Sequence, residues 1–173
     1  MTSVIKVIGN KLEFNGKVYK CAYGKNGFAK NKQEGDNCTP IGTYPLREVF
    51  YKYERPKTGL PCQQISEFDG WCDDINHMDY NKHIKLPHFA RHEKLLRQDD
   101  LYDVVVVIGY NDAPIVKGAG SAIFMHVAKP NYDGTEGCIA LKLPDLLEVL
   151  AGTQSNTKIS LNNEAIWFWF YFA

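Results

Sequence analysis

An unbroken row of five β-branched residues, Val104 to Ile108, constrains the fold of this chain more than any other stretch. A strand with one face in water alternates apolar and polar residues, so a continuous apolar row predicts a central strand that is buried on both faces. A second apolar run from Ala122 to Val127 predicts another buried strand, and Cys138 to Leu141 begins a further element. The chain is therefore predicted to be mainly β, as a β-rich α+β fold.

Shorter elements surround this predicted core. The dipeptide Asn15-Gly16 joins two alternating runs, residues 12–14 and 17–21, and supplies the positive φ angles of a type I′ turn, so the three together predict a β-hairpin. Further strands are predicted within residues 1–9, 39–53 and 158–161. Residues 143–150 predict a short helix, because Pro144 lies in the first turn and the apolar residues follow helical spacing.

Residues 54–100 form a long excursion in which three prolines interrupt any regular pattern. Loops of this length in a small domain are typically lids or binding elements, so we predict a single domain over residues 1–173 with a lid-like insertion at 54–100. Within the insertion, only residues 91–98 predict a helix. The aromatic tail, residues 166–173, is predicted to pack as an edge or beneath the lid, with an interfacial anchor as the alternative.

Charge and composition restrict the classes of partner. Twenty basic and twenty acidic residues give a formal net charge of zero, and no basic stripe indicates nucleic acid or an anionic membrane surface. No segment has the roughly twenty apolar residues of a transmembrane helix, and the N-terminus does not resemble a secretory signal. A complete chain is therefore predicted to be cytoplasmic, with a periplasmic location as the alternative. Five cysteines, an odd number, would leave one thiol free even in an oxidising compartment.

Two residues carry the chemistry that the sequence suggests, His126 at the end of one apolar run and Cys138 at the start of the next. An imidazole can take the thiol proton, and the resulting thiolate can attack a carbonyl carbon. Gly137 lets the backbone approach a substrate closely, and the amides of Gly137 and Cys138 are candidates to stabilise an oxyanion. The alternative interpretation is structural, a packed thiol and a core histidine.

A metal site is a second hypothesis for the insertion. His88 and His92 are four residues apart, which on a helix places both side chains on one face. His83, Cys72 or Asp74 would then complete a zinc shell. The alternative is that these histidines bind a polar substrate.

Charged residues offer candidates for binding the ends of a substrate. Asp73 and Asp74 would bind an ammonium group or, alternatively, cap a turn. Arg47, Arg91 and Lys129 are candidates for a substrate carboxylate, which guanidinium and ammonium groups recognise well.

Three motifs occur in a fixed order along the chain: Thr39-Pro40-Ile41-Gly42-Thr43-Tyr44, then Met125-His126, then Thr135-Glu136-Gly137-Cys138-Ile139. They resemble the TPxGxF/Y segment, the histidine strand and the S/T-x-G-C-I/V loop of the L,D-transpeptidase family, whose catalytic domain is of the YkuD type. Further stretches resemble a compact bacterial subgroup whose members often lack export signals: residues 69–74, 80–81 and 100–103. The likeness extends from about Val18 to Leu161.

The resemblance implies a β-sandwich that carries the cysteine at one end of its sheet. It also implies that Cys138 is the nucleophile, that His126 is its base and that no cofactor or metal is required. The chain departs from the family at Glu136, where the common loop has a histidine, and at Ala140, where a basic residue commonly follows the cysteine. We expect five residues to contact substrate: Thr135, Glu136, Trp71, Tyr80 and Asn81.

The substrates implied by the resemblance are peptidoglycan stem peptides or soluble muropeptides. The thiolate would attack the carbonyl at the L-centre of diaminopimelate in a tetrapeptide, expel D-alanine and leave a thioester. Water would then give a tripeptide, as in an L,D-carboxypeptidase of wall recycling, whereas an amine would give a cross-link, as in an L,D-transpeptidase. Carbapenems are expected to acylate the same thiol. The alternative function is a zinc-binding or non-catalytic wall-binding protein on this fold.

Overall fold

The computed structural model describes residues 3–163, so the predicted packing of the aromatic tail, residues 166–173, lies outside the described residues. The elements in chain order are β1 (Val4–Ile8), β2 (Lys11–Phe14), β3 (Lys17–Lys20), β4 (Phe28–Ala29), β5 (Thr39–Pro40), β6 (Gly42–Tyr51), β7 (Cys62–Gln64), β8 (Asp69–Cys72), β9 (His83–Lys85), β10 (His92–Lys94), β11 (Val104–Ile108), β12 (Phe124–Val127), β13 (Ile139–Leu141), α1 (Leu143–Ala151) and β14 (Lys158–Asn162). The predicted mainly β class is confirmed. Within residues 3–163, no helix is both long enough and apolar enough to span a bilayer.

A nine-stranded sheet forms the body of the fold, in the order β13-β12-β11-β6-β14-β1-β2-β3, with β7 paired to β6. The sheet is mixed: β1 lies parallel to β14 and β12 lies parallel to β13, whereas β11 lies antiparallel to both β6 and β12. The sheet is nearly closed. All five residues of β11 are buried, as the unbroken apolar row predicts.

The two faces of β11 pack against different parts of the chain. Its even-numbered residues join the larger core together with α1, β1 and β14. Its odd-numbered residues join a second core with Phe50, Trp71, Leu95 and Phe124, and Cys138 belongs to this second core. The insertion therefore covers the face of the sheet that carries the cysteine.

The hairpin and the helix form where the sequence predicts them. Asn15 and Gly16 have φ angles of 49° and 77° between the paired strands β2 and β3, which is the left-handed conformation that a type I′ turn requires. Pro144 lies in the first turn of α1, and three apolar residues of one face are buried against the sheet: Leu146, Val149 and Leu150. The helix ends at Gly152, whose φ of −93° is right-handed.

The predicted helix over residues 91–98 is wrong. The segment contains strand β10, which pairs with β8, and β8 pairs in turn with β9 to make a small three-stranded sheet. Strand pairing wins because it satisfies the backbone of β10 against β8 and buries Leu95 in the second core. The single-domain organisation and the limits of the insertion remain predictions.

Candidate active site

Cys138 lies between a glycine turn and the first residue of β13, and it is only 8% exposed. Its Sγ accepts a hydrogen bond from the Phe124 N–H at 3.3 Å, and its S–H donates to the Ala122 carbonyl oxygen at 3.3 Å. Ala122 has a φ of 54°, a conformation that is uncommon for a residue with a Cβ. The thiol is therefore held on both sides by backbone atoms that precede or begin β12.

Two threonine hydroxyls fix the turn before Cys138. Thr135 Oγ1 accepts from the Gly137 N–H at 3.1 Å and donates to the Cys138 carbonyl at 2.7 Å. Thr39 Oγ1 donates to the Gly137 carbonyl at 2.8 Å and accepts from the Gly24 N–H at 2.9 Å. The Gly137 amide, a candidate oxyanion donor, is thus already bonded to Thr135 in this structure.

The turn requires glycine at position 137. Gly137 has a φ of +137°, and a Cβ built on it would lie 2.7 Å from the Cys38 carbonyl oxygen. A residue with a side chain at position 137 would therefore strain the backbone, and its Cβ would also clash with the backbone of Cys38.

We predict that Thr39→Val lowers the free energy of unfolding by about 2 to 4 kcal/mol, because the Gly24 N–H and the Gly137 carbonyl lose their common partner. Urea denaturation measures this change. Thr43, which is exposed, is the matched control, and Thr43→Val is expected to change stability by less than about 0.5 kcal/mol. If the two substitutions changed the free energy of unfolding equally, the stabilising role of the Thr39 hydrogen bonds would be contradicted.

His126 is the third residue of β12, and its Nδ1 lies 2.9 Å from the Val127 carbonyl oxygen. A carbonyl only accepts, so Nδ1 carries the proton and Nε2 presents a free lone pair. The Tyr102 ring packs edge-on against the imidazole, with the two ring centroids 5.4 Å apart. Packing and the carbonyl together hold the ring in the tautomer that a general base needs.

The strand register brings His126 and Cys138 together. In the parallel pair β12–β13, His126 aligns with Ala140, two positions beyond Cys138, so both functional side chains lie on the same face. Both line one cavity of about 430 Å³, together with Thr135 and Glu136. The structure thus places four of the predicted site residues around one space, and Gly137 forms the turn beside it.

Burial sets the ionisation of the two central groups. It lowers the pKa of His126 to about 4 and raises the pKa of the Cys138 thiol to about 12. At neutral pH the resting site therefore contains a thiol and a neutral imidazole. The thiol must lose its proton during attack on a carbonyl, with Nε2 as acceptor.

A second cavity, of about 220 Å³, adjoins Cys138. It shares three other residues with the larger cavity: Glu93, Tyr102 and Glu136. Glu93 comes from β10 and Tyr102 from the segment before β11, so the insertion and its end supply one wall of the site. Sequence reasoning missed Glu93, because a helical interpretation of residues 91–98 hid the strand alternation that turns Glu93 and Leu95 to one side. Tyr102 lies in a stretch that resembles the family, residues 100–103, but it was given no role in the site.

The predicted substrate contacts at Trp71, Tyr80 and Asn81 lie elsewhere. All three are buried, and they line neither of the two cavities beside Cys138. Asn81 Oδ1 accepts from the Trp71 Nε1–H and from the Ala122 N–H, each at 3.0 Å, and Tyr80 Oη accepts from the Gly120 N–H at 3.0 Å. These contacts favour a positioning role, since they hold the backbone that contacts the thiol. Direct contact with substrate stays a prediction.

The proposed zinc ligands are not brought together. His92 Nδ1 bonds the Ala90 carbonyl and His83 bonds Asp69, and of the five proposed ligands only His88 belongs to a group of three ligand-type side chains, with His77 and Asp79.

Hydrogen bonds account for that cluster without a metal. His77 Nδ1 accepts from the Asp79 N–H and His88 Nδ1 accepts from the Ala90 N–H, both at 3.1 Å. Each neutral ring therefore carries its proton on Nε2, and His88 Nε2 can donate to Asp79 Oδ2 at 3.2 Å. A metal at His88 Nε2 would have to displace that proton.

The charged residues that the sequence offered for binding a substrate lie in different parts of the structure. Arg91 pairs with Asp73 and Arg47 pairs with Asp112, and neither arginine lines the two cavities beside Cys138. Asp74 Oδ1 accepts from the Asn76 N–H, the turn-capping alternative. Lys129 lines the larger cavity and stays a candidate for a substrate carboxylate.

The buried imidazole also predicts a pH-dependent stability. Because the pKa of His126 falls from 6.5 to about 4 on folding, the unfolded chain binds this proton more readily. The contribution of His126 to stability is complete above pH 6.5 and is lost as the pH falls towards 4, a loss of about 3 kcal/mol. We expect the free energy of unfolding of the wild type minus that of His126→Gln to shrink over this interval, as measured by urea denaturation.

Glu93 acts in the opposite direction, so differences between variants are the informative quantity. Burial raises the pKa of Glu93 from 4.5 to about 7, and its contribution is therefore complete below pH 4.5 and lost as the pH rises through 7. The difference between the wild type and Glu93→Gln is expected to shrink with rising pH. A wild-type minus His126→Gln difference that stays constant between pH 4.5 and 7 would contradict a buried neutral imidazole.

Comparison with known proteins matches nearly all of these elements to one family. The family model of the YkuD, L,D-transpeptidase catalytic domain matches residues 7–161, from β1 to β14. This range contains His126 and Cys138, and it also contains Thr39, whose hydroxyl bonds the Gly137 carbonyl oxygen. Comparisons with curated proteins and with solved structures found no match.

Proposed function

The chain belongs to the YkuD family of L,D-transpeptidase catalytic domains, an enzyme family that acts on peptidoglycan, and from this premise we propose that Cys138 forms an acyl-enzyme with stem peptides. The observation that carries the proposal is that Cys138 and His126 line the same cavity while His126 Nε2 forms no hydrogen bond with any residue from 3 to 163. A thiol without a base nearby, with its pKa raised to about 12, would be inert at neutral pH.

The acylation step moves one proton and exchanges one bond. As Sγ of Cys138 bonds to the carbonyl carbon at the L-centre of diaminopimelate, its proton passes to His126 Nε2. The C–N bond to D-alanine then breaks, and the imidazolium gives the proton to the departing amine. The product is a thioester on Cys138 and a neutral imidazole, so the base is ready for the second half-reaction.

The low pKa of His126 favours the second proton transfer, from the imidazolium to the departing amine. An imidazolium in a buried site is a strong acid, and it readily protonates the leaving amine. The negative oxygen of the tetrahedral intermediate needs backbone donors, for which we propose the amide of Cys138, joined by that of Gly137 if the bond to Thr135 opens.

Two different products can form from the same thioester. Attack by water releases a tripeptide, and the protein is then an L,D-carboxypeptidase; attack by the amine of a second stem gives a cross-link, and it is then an L,D-transpeptidase. We propose hydrolysis for soluble muropeptides in the cytoplasm, where a mature wall is absent. The thioester is the same in both, so the nature of the acceptor decides.

Product analysis on a defined tetrapeptide muropeptide tests the proposal. We expect release of D-alanine with either tripeptide or a cross-linked dimer, and none with Cys138→Ala. Cys62 is the matched control, because this free, partly buried cysteine lies on β7 and lines neither cavity beside Cys138, so Cys62→Ala is expected to keep wild-type activity. The proposal fails if the wild type releases no D-alanine or if Cys138→Ala releases it at the wild-type rate.

A further inference from the structure

Glu93 projects from β10 into the space beside the nucleophile. The residue pairs with Trp71 across β8 and β10, and it lines both the larger and the smaller cavity. Cys138 also lines both, so the carboxyl group and the thiol border the same two spaces. No step of the proposed acylation uses this carboxyl group.

Within residues 3–163, the carboxyl group of Glu93 has one hydrogen-bond partner, the phenol of Tyr102. Tyr102 Oη lies 3.3 Å from Oε1 and 3.2 Å from Oε2, and its single proton can be donated to only one of them. Among residues 3–163, Glu93 forms no ion pair within 4.0 Å. An ionised carboxylate accepts about four hydrogen bonds, so most of its acceptor capacity remains for a group that enters the cavities.

Two of the cations that line the cavities beside Glu93 are paired with other acids. Arg97 binds Asp99 through two hydrogen bonds, at 2.8 and 2.6 Å, and its guanidinium lies over the Tyr102 ring at 5.0 Å. Lys32, whose side chain is almost completely buried in the wall of the smaller cavity, binds Asp36 Oδ1 at 2.7 Å. Lys25 and Lys129 also line the larger cavity, but within residues 3–163 neither forms an ion pair with Glu93 within 4.0 Å, so Glu93 has no ion-pair partner in the resting site.

A cation that entered the cavities would supply the positive charge that Glu93 lacks. Burial makes ionisation of Glu93 costly, which is why its pKa rises to about 7, and a nearby positive charge would favour the ionised form. The negative charge of Glu93 also helps to raise the pKa of the Cys138 thiol. A cation bound to Glu93 would cancel that effect, so the thiol would lose its proton more easily once the correct substrate is bound.

We propose that Glu93 is a specificity-determining residue that binds the free side-chain ammonium group of the donor stem peptide. This inference rests on the proposed function: diaminopimelate has two amino groups, one of which lies in the peptide chain while the other remains free as a cation. With the scissile carbonyl at Cys138, an ammonium group on the same residue's side chain can reach the cavity that Glu93 lines. A charge-assisted hydrogen bond in this partly buried position discriminates against a neutral group by roughly 10- to 100-fold.

Two tetrapeptide muropeptides that differ only by N-acetylation of this amine test the inference. We expect the wild type to show a kcat/KM higher by roughly 10- to 100-fold for the free amine. Glu93→Gln is expected to bring the ratio close to one by slowing the free-amine peptide alone, and Glu93→Asp to keep part of the preference. Glu67, an exposed acid of the same insertion, is the matched control, and Glu67→Gln is expected to keep the full ratio.

The outcomes separate this inference from the proposed function. Release of D-alanine from both peptides at equal rates in the wild type, or an undiminished ratio in Glu93→Gln, overturns the role of Glu93 alone. No product from either peptide overturns the proposed function and the inference with it. If Glu93→Gln does not fold, the wild-type ratio and the Glu93→Asp ratio decide. A merely structural role would slow both peptides by the same factor and leave their ratio unchanged in Glu93→Gln.

Discussion

Replacement of Cys138 by alanine is expected to lower the rate of D-alanine release by at least about 10³-fold. The sulfur is the atom that would hold the acyl group, and without a nucleophile an acyl-transfer site retains only binding and oxyanion stabilisation. The same substitution is expected to abolish the mass increase that a carbapenem produces on the intact protein. Both effects are measured against Cys62→Ala, which is expected to behave as the wild type.

The other thiols offer no obvious substitute. All five cysteines are free, but Cys21 is buried in the larger core and burial raises its pKa to about 12, while Cys72, the last residue of β8, is fully buried. Cys38 and Cys62 are partly buried, and none of these four thiols lines the cavities that contain His126 or Glu93. A carbapenem adduct of equal size on Cys138→Ala would therefore mean that the reactive group had been misassigned.

Replacement of His126 by glutamine is expected to lower kcat/KM by about 10²- to 10⁴-fold, the range of a positioned general base. Glutamine can donate to the Val127 carbonyl as the imidazole does, but it cannot take a proton from the thiol. Because burial lowers the pKa of His126 to about 4, wild-type kcat/KM for the N-acetylated peptide, whose side chain offers Glu93 no cation, is expected to stay level from pH 7 down to about 5 and to fall as the pH approaches 4.

The pH profile distinguishes a base from a structural histidine. If His126 only packed against Tyr102, His126→Gln would alter stability but leave the acid limb of the activity profile in place. Loss of that limb in the variant, with a folded protein by circular dichroism, is the result expected here. An unchanged kcat/KM in His126→Gln would remove this residue from the reaction.

The strands around the core were predictable because their signals are local. The row from Val104 to Ile108 is apolar on both faces, and Asn15-Gly16 has the backbone freedom of its turn, whatever the rest of the chain does. β10 was not predictable in this way. Its residues become a strand because β8, some twenty positions earlier, offers its edge, and that tertiary pairing overrides the weak helical pattern of residues 91–98.

The sequence indicated the thiol and the imidazole of the candidate site, but it did not indicate the residues that surround them and hold them in place. Cys138 and His126 stand at the ends of apolar runs, and β12 and β13 then place them on one face of the sheet. Thr39 belongs to a motif visible in the sequence, yet its bond to the Gly137 carbonyl joins residues 98 positions apart. Glu93 carried no local signal, because an isolated acid between histidine and lysine is typical of a solvated surface.

The most direct measurement of the central claim is the site of the acyl group itself. Wild-type protein is mixed briefly with tetrapeptide muropeptide, quenched in acid, and its mass is measured before and after digestion. The account predicts an increase equal to the tripeptide acyl group, located on the fragment that contains Cys138, removed by hydroxylamine and absent from Cys138→Ala. An acyl group on a different residue, or continued release of D-alanine by Cys138→Ala, would contradict it.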